Sequence, residues 1–251
     1  MVHFVGAGPG DPELLTRKAE RLLREARICI YAGSLVSSEV LALLDSSVEK
    51  HDSAAMSLKQ VTDVYADAQQ RGVDVVRLHS GEPSLYGAIA EQMDELDRLG
   101  IAYDVTPGIS SFQAAAAALA TELTAPEIAQ TVILTRSSGR TPLPAGQELS
   151  RLAGARATLC IFLSTSHVEE VAAALLPDYG ADCPAAIVYH ASRPDELVIR
   201  ARLDGLVAAA RDAALRKTAI ILVGRALGRS SARSRLYDAS FTHEYREASE
   251  P

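Results

Sequence analysis

Val5-Gly-Ala-Gly-Pro-Gly-Asp-Pro-Glu-Leu-Leu15 is the stretch on which the reading of the fold turns. A short apolar segment, Val2-His3-Phe4-Val5, runs into Gly6-Ala7-Gly8-Pro9-Gly10, and a helical pattern follows at once. The arrangement looks like the start of a dinucleotide-binding fold. In that fold, glycines let backbone N–H groups and a helix N-terminus close on a pyrophosphate. Here the position of the third glycine is Asp11, whose carboxylate would repel the anion. Pro9 and Pro12 remove two N–H donors. The acid expected to meet a ribose about 20 residues on is also missing, because the strand Ile28-Cys29-Ile30-Tyr31 leads into Ala32-Gly33-Ser34. A nicotinamide or flavin enzyme is therefore disfavoured. Asp11 reads well as an N-cap, with Pro12 as the first helical residue. Three glycines in five residues still predict a close approach by something.

The chain has 251 residues, 48% hydrophobic and 23% charged, which suits a folded globular protein with one large or two ordinary domains. A net charge of -7 argues against a general nucleic-acid surface. No apolar run reaches membrane-spanning length, and no charged-then-apolar leader is present, so a cytoplasmic enzyme or binding protein is expected. Cys29, Cys160 and Cys183 are scattered; Cys29 and Cys160 sit in expected strands as small apolar residues, and neither the cysteines nor the six histidines show metal-ligand spacing.

Farther along, apolar runs alternate with helical patterns. Strands are expected at 2–5, 27–31, 73–79 and 101–105, with helices at 12–26, 57–71 and 83–99. In the first helix, Leu15, Ala19, Leu22, Leu23 and Ala26 share one face. This is an α/β pattern with a largely parallel sheet. After about residue 130, strands at 131–136, 157–163, 184–190, 197–202 and 218–223 are separated by two or three helices. The pair 184–190 and 197–202 reads as a hairpin, so antiparallel pairing is expected. The reading is two α/β domains, 1–107 and 108–251, dividing near Pro107-Gly108 before an alanine-rich helix at 110–120. After Gly224 an extended, polar, basic surface segment and a mobile end are expected.

Three loops follow C-terminal ends of parallel strands, where open α/β sheets bind ligands. They are Gly6–Asp11, His79–Gly87 and Thr106–Ser111. The ordered set Val-Gly-Ala-Gly-Pro-Gly-Asp-Pro, Tyr31…Leu35-Val36-Ser37, Ser80-Gly81-Glu82-Pro83…Tyr86-Gly87 and Pro107-Gly108-Ile109-Ser110-Ser111 resembles the tetrapyrrole methylases, over nearly the whole chain. Gln130–Pro144, Tyr31–Ser37 and Ala54–Leu58 are similar to the signature of the precorrin-4 C11-methyltransferases within that family.

The resemblance implies a fold of two α/β domains with a cofactor cleft between them, distinct from the usual Rossmann methyltransferase. It implies S-adenosyl-L-methionine as methyl donor, leaving S-adenosyl-L-homocysteine, and a tetrapyrrole substrate. Precorrin-4, methylated at C11 to precorrin-5 on the way to cobalamin, is the expected substrate; the cobalt-loaded form, or a sister reaction at another ring carbon, is the alternative. Matched position by position, the cofactor would meet Pro9, Ser80, Gly81, Glu82, Leu85, Ser110, Ser111, Leu163 and Ala219. Glu82 stands where Asp is commoner and Ser80 where Gly is commoner, so Glu82 acts through its side chain or only through its backbone. Tyr189 or His190 would also line the site, and the sequence does not decide between them. Gly8 and Gly10 would line the substrate side. Arg136 and Arg140 would meet the substrate's acetate and propionate arms, since guanidinium forks suit carboxylates and an acidic chain must concentrate positive charge locally. No indispensable catalytic residue is expected, because a sulfonium methyl is already electrophilic. Asp11, His79 and Tyr86 are candidate proton handlers, each with an ordinary structural role as the competing reading. A homodimer is expected from the resemblance and from the many strands and few helices of the second half. No nucleic-acid or membrane partner is expected.

Overall fold

Five short strands build a wholly parallel sheet: β1 (Val2–Gly6), β2 (Ile28–Tyr31), β3 (Glu49–Asp52), β4 (Val75–His79) and β5 (Tyr103–Thr106), in the order β3-β2-β4-β1-β5. The computed structural model to which they belong describes residues 1–139, 141–228, 234 and 238–249. It divides into two units, Met1–Ala115 with His190–Leu197, and Ala116–Tyr189 with Val198–Pro251. The sequence boundary at Pro107-Gly108 thus falls eight residues before the division, and a loop from the second half groups with the first unit.

The inner strands of the first unit are apolar on both sides because helices cover both faces. Val5, Cys29, Val76 and Leu78 pack with Ala19, Leu22 and Leu23 of α1 (Arg17–Glu25) and Val40 of α2 (Ser38–Leu41). Alternate residues Val2, Phe4, Ile28, Ile30 and Val75 pack with Val61, Tyr65 and Ala68 of α3 (Leu58–Gln70) and Leu96 of α4 (Ala90–Leu99). β3, Glu-Lys-His-Asp, is a polar edge strand with no apolar signature. The expected helix 12–26 is two pieces. A 3-10 turn spans Pro12–Leu14, and Thr16 then caps α1, its Oγ1 accepting from the Ala19 N–H at 3.1 Å. The expected helix 83–99 starts only at Ala90, because Tyr86 and Ala88 lie in the left-handed region at φ 57° and 50°. The alanine-rich helix is α5 (Ser111–Ala118).

β1 and β4 are neighbours. The chain leaves β1 toward β2 on one side and leaves β4 toward β5 on the other. This is a topological switch point, and the loops after β1 and β4 sit at it.

The second unit has β6 (Val132–Arg136), β7 (Thr158–Phe162), β8 (Pro184–Tyr189), β9 (Leu197–Arg202) and β10 (Ala219–Val223), in the order β6-β7-β10-β8-β9. β6 runs parallel to β7, and β10 runs antiparallel to both β7 and β8, as expected of a mixed sheet. Leu159, Ile161, Ile187 and Ile221 pack with Leu149 of α6 (Leu149–Leu152), Val171 and Leu175 of α7 (Val168–Tyr179) and Leu206 of α8 (Leu206–Asp212). The opposite side chains, Thr158, Cys160, Ala186, Val188, Ile220 and Leu222, are also buried within the single chain. The three inner strands thus leave no bare face of the kind expected, whereas the flanking β6 and β9 are partly exposed. The segment after Gly224 is not extended at its start: Arg225–Leu227 is a 3-10 turn with Ala226 and Leu227 buried. Residues 229–233, 235–237 and 250–251 of the expected tail lie outside the described residues.

Candidate functional site

In the first unit, the three expected loops meet backbone to backbone. Ala7 donates to the His79 carbonyl at 2.7 Å, and Gly8 and Gly81 exchange N–H···O bonds at 3.2 and 2.8 Å. A Cβ on Gly6 would lie 2.6 Å from Gly108 Cα and 2.7 Å from the Gly81 carbonyl oxygen. Gly6 and Gly108 are thus needed, first, for the approach of the loops to one another. Gly81 itself has φ 62° and only ordinary contacts, 3.7 Å or more, where its Cβ would stand.

Glu82 locks the junction. One carboxylate oxygen accepts from the Ser84 N–H at 3.0 Å and the other from the Gly108 N–H at 2.8 Å. The side chain therefore ties the second loop to the third. The commoner Asp is one methylene shorter. Ser110 is buried, and its N–H donates to Gln113 Oε1 at 2.9 Å, which starts α5. Ser111 follows as the first residue of that helix, and Leu85 closes a turn by donating to the Glu82 carbonyl.

Asp11 is the N-cap expected, with Oδ1 accepting from the Glu13 N–H at 2.8 Å. Its own N–H donates to Ser192 Oγ at 3.1 Å, and the adjacent Arg193 donates to the Leu35 carbonyl. A Cβ on Gly10 would collide with the Arg193 side chain, and the Gly10 carbonyl accepts from Ser37 Oγ at 2.6 Å. The loop Gly8-Pro9-Gly10 is thus held from two sides. Sequence reasoning missed Ser192 and Arg193, which looked like residues of a hairpin turn.

His79 is 6% exposed, and its Nε2 has no hydrogen-bond partner among the described residues. Burial, with a smaller push from the Arg77 charge, brings its pKa down to about 3. The ring is neutral near pH 7, which disfavours it as a proton donor. Tyr86, by contrast, is 47% exposed and carries the left-handed backbone noted above.

In the second unit, strand directions put the C-terminal ends of β6, β7 and β8 and the start of β10 along one sheet edge. Arg136, Leu163, Tyr189 and Ala219 come together there. Leu163 is 68% exposed, with φ 53°. It is thrust out because its neighbour Ser164 turns inward: Ser164 Oγ donates to the Phe162 carbonyl at 2.6 Å and accepts from the Ser137 N–H at 2.7 Å. Thr165 Oγ1 donates to the Ala219 carbonyl at 3.2 Å. The Ser137 hydroxyl is buried and has no hydrogen-bond partner among the described residues. The apolar Leu163 side chain is thus held out in a costly conformation.

Arg136 is engaged by its own loop. Its guanidinium donates to the carbonyls of Ser137, Thr141 and Pro142 at 3.2, 2.9 and 3.1 Å. Arg140 lies outside the described residues. Among the described residues, no group of three or more metal-ligating side chains comes together, and no helix is long and apolar enough to cross a membrane.

The sequence model of the Tetrapyrrole (Corrin/Porphyrin) Methylases matches residues 1–207. The chain belongs to the tetrapyrrole methylase family. Among its relatives in that family are the cobalt-precorrin-4 C(11)-methyltransferase of Methanocaldococcus jannaschii, 46% identical over 98% of this chain and 96% of that protein. The precorrin-4 C(11)-methyltransferase of Pseudomonas aeruginosa is also 46% identical, over 98% of each. The X-ray structure of a cobalt precorrin-4 methyltransferase superposes with a TM-score of 0.89 at 41% identity, covering 91% of this chain and 96% of that one. A uroporphyrin-III C-methyl transferase from Thermus thermophilus, complexed with S-adenosyl homocysteine, superposes with a TM-score of 0.76 at 31% identity, covering 90% and 92%. The two α/β units described above are those of the tetrapyrrole methylase fold.

Proposed function

We propose that the protein transfers a methyl group from S-adenosyl-L-methionine to C11 of precorrin-4 in cobalamin biosynthesis, in the cytoplasm and as a homodimer. The observation that carries the reading is the 46% identity to two C11-methyltransferases along nearly the whole chain. One of them is named for a cobalt-loaded substrate and the other is not, so cobalt-precorrin-4 is the second reading. The dimer rests on the family resemblance alone.

The cofactor supplies an electrophilic methyl on sulfonium. The chain supplies position and exclusion of water, which can lower a barrier by several kcal/mol, roughly. Ser80, Gly81, Leu85, Ser110 and Ser111 of the first unit, and Leu163 and Ala219 of the second, are the proposed cofactor contacts, with Pro9 on the first loop. Glu82 serves through its loop-locking carboxylate. Gly8 and Gly10 face substrate. Of the three proton-handling candidates, Asp11 caps the Pro12–Leu14 turn, His79 is buried and neutral, and Tyr86 is half-exposed, and none of them is indispensable to the transfer. Arg136 shapes the loop that carries Arg140, and Arg140 takes a substrate carboxylate.

Incubation with adenosylmethionine labelled in its methyl carbon, and with precorrin-4 and cobalt-precorrin-4 in turn, tests the reading. Label found at C11 by NMR supports it, and the faster of the two substrates settles the metal. Label at another ring carbon, or no transfer to either compound, refutes it.

A further inference from the structure

The loop from Ser80 to Ile89 has a strained backbone over Tyr86–Ala88. Tyr86 and Ala88 carry side chains in the left-handed region, and Gly87 is so close to the Pro83 carbonyl that a Cβ would collide with it. Such conformations persist only where surrounding structure imposes them.

Gln92, in the first turn of α4, supplies the hold. It is 5% exposed. Its Nε2 donates to the Ala88 carbonyl at 2.9 Å. Its Oε1 accepts from Arg77 Nε at 3.0 Å and from the Tyr65 hydroxyl at 2.8 Å. The amide has one possible orientation, because Arg77 Nε can only donate and the Ala88 carbonyl can only accept. Arg77 in turn is fixed by bonds to Ser53 Oγ at 3.1 Å and the Ile30 carbonyl at 3.4 Å. Among the described residues no carboxylate pairs with this buried guanidinium. A glutamine at this place, where an acid would neutralise the charge, is costly for the core. It is the residue that offers both an acceptor to Arg77 and a donor to Ala88.

We propose that Gln92 is a positioning residue, which fixes the Ser84–Ile89 loop in the shape that receives the methyl donor. This rests on the reading of Ser80–Leu85 as a cofactor loop. Arg77 and Tyr65 act one step farther back, by orienting the Gln92 amide.

Gln92→Glu separates positioning from stability. The carboxylate keeps both acceptor bonds and pairs with Arg77, so thermal stability should be retained or raised. It has no N–H for the Ala88 carbonyl. In the full chain without ligand, amide hydrogen exchange over residues 84–89 should quicken at least tenfold, with the strands unchanged. The Kd for adenosylmethionine, by calorimetry, should rise about tenfold, while the tetrapyrrole KM stays within twofold. Ala88→Gly added to Gln92→Glu should recover part of the affinity, since glycine adopts this backbone unaided. Unchanged exchange at 84–89 overturns the proposal, as does unchanged affinity in a variant whose parent binds. A parent that binds no adenosylmethionine refutes the cofactor reading of the loop, and exchange alone then decides the positioning. Should Gln92→Glu fail to fold, Tyr65→Phe is read in the same way, with a two- to threefold effect expected and no change in either measurement overturning the proposal.

Discussion

At the scale of single residues, Gly6 and Gly72 separate two uses of glycine. A Cβ on Gly6 meets backbone of two other loops at 2.6–2.7 Å, and none of those atoms can swing away. Gly72 has φ 65° and open space around it. Gly72→Ala should therefore cost only the left-handed penalty, roughly 1–2 kcal/mol. Gly6→Ala should cost more, about 3 kcal/mol or above, because overpacking adds backbone displacement. Urea denaturation of the two variants checks the order, and an equal loss would mean the three loops give way easily. His79 provides a pH test. Its folded pKa of about 3 lies below the ordinary 6.5. The unfolded chain therefore takes up a proton as pH falls through 6.5 while the folded chain does not. Stability is full above about pH 6.5 and is lost as pH falls toward 3, with a slope of at most about 1.4 kcal/mol per pH unit. His79→Phe should remove that component, so denaturation between pH 7 and pH 4 should show a flatter profile for the variant. At this scale the sequence is partly legible. Asp11-Pro12 reads correctly as a cap, because the capping bond is local. The carboxylate of Glu82 is not legible, since its partner Gly108 stands 26 residues away, and nothing in the sequence marks the three carbonyls of its own loop that Arg136 meets.

At the scale of elements, Leu163 marks the end of β7. Leu163→Gly removes the left-handed cost and the exposed apolar group together. The variant should be as stable as the parent or more so, by up to about 1 kcal/mol. Its affinity for adenosylmethionine should fall severalfold, read by calorimetry; unchanged affinity would remove Leu163 from the proposed contacts. α3 has a complete capping box, in which Ser57 Oγ accepts from the Gln60 N–H and Gln60 Oε1 accepts from the Ser57 N–H. Ser57→Ala should cost about 1 kcal/mol in thermal or chemical unfolding, without change in catalysis. The long apolar strands and α3 could be read from composition and period, because their burial repeats regularly. β3 could not, since Glu-Lys-His-Asp at a sheet edge needs no apolar face. Nor could the late start of α4: Tyr86 and Ala88 have no local feature that marks a left-handed turn, and Arg77 and Tyr65, which meet the Gln92 amide beside it, are neighbours only in the folded chain.

At the scale of the whole molecule, association and charge can be measured. Sedimentation at micromolar concentration should give a dimer, and a stable monomer would refute that expectation. Arg140→Ala should raise the tetrapyrrole KM about tenfold, as loss of a charge-assisted contact of roughly 1.5 kcal/mol requires. It should leave the adenosylmethionine Kd unchanged, and the effect should shrink in high salt if the contact is exposed. Lost cofactor affinity with an unchanged tetrapyrrole KM would reverse the assignment. The strand order of the second sheet has one more consequence. Its central strand, β10, comes last in sequence, between β7 and β8. During synthesis the edges of β7 and β8 that β10 will occupy must wait, unpaired, until residue 223 has left the ribosome. The parallel sheet of the first unit, by contrast, has all its strands once residue 106 is out. The growing chain thus carries two open, apolar strand edges for more than thirty residues of translation after β8 is made, the kind of exposure at which nascent chains aggregate or recruit chaperones. A stop placed just before Ala219 should yield a protein that keeps its first half protected from protease and precipitates through its second.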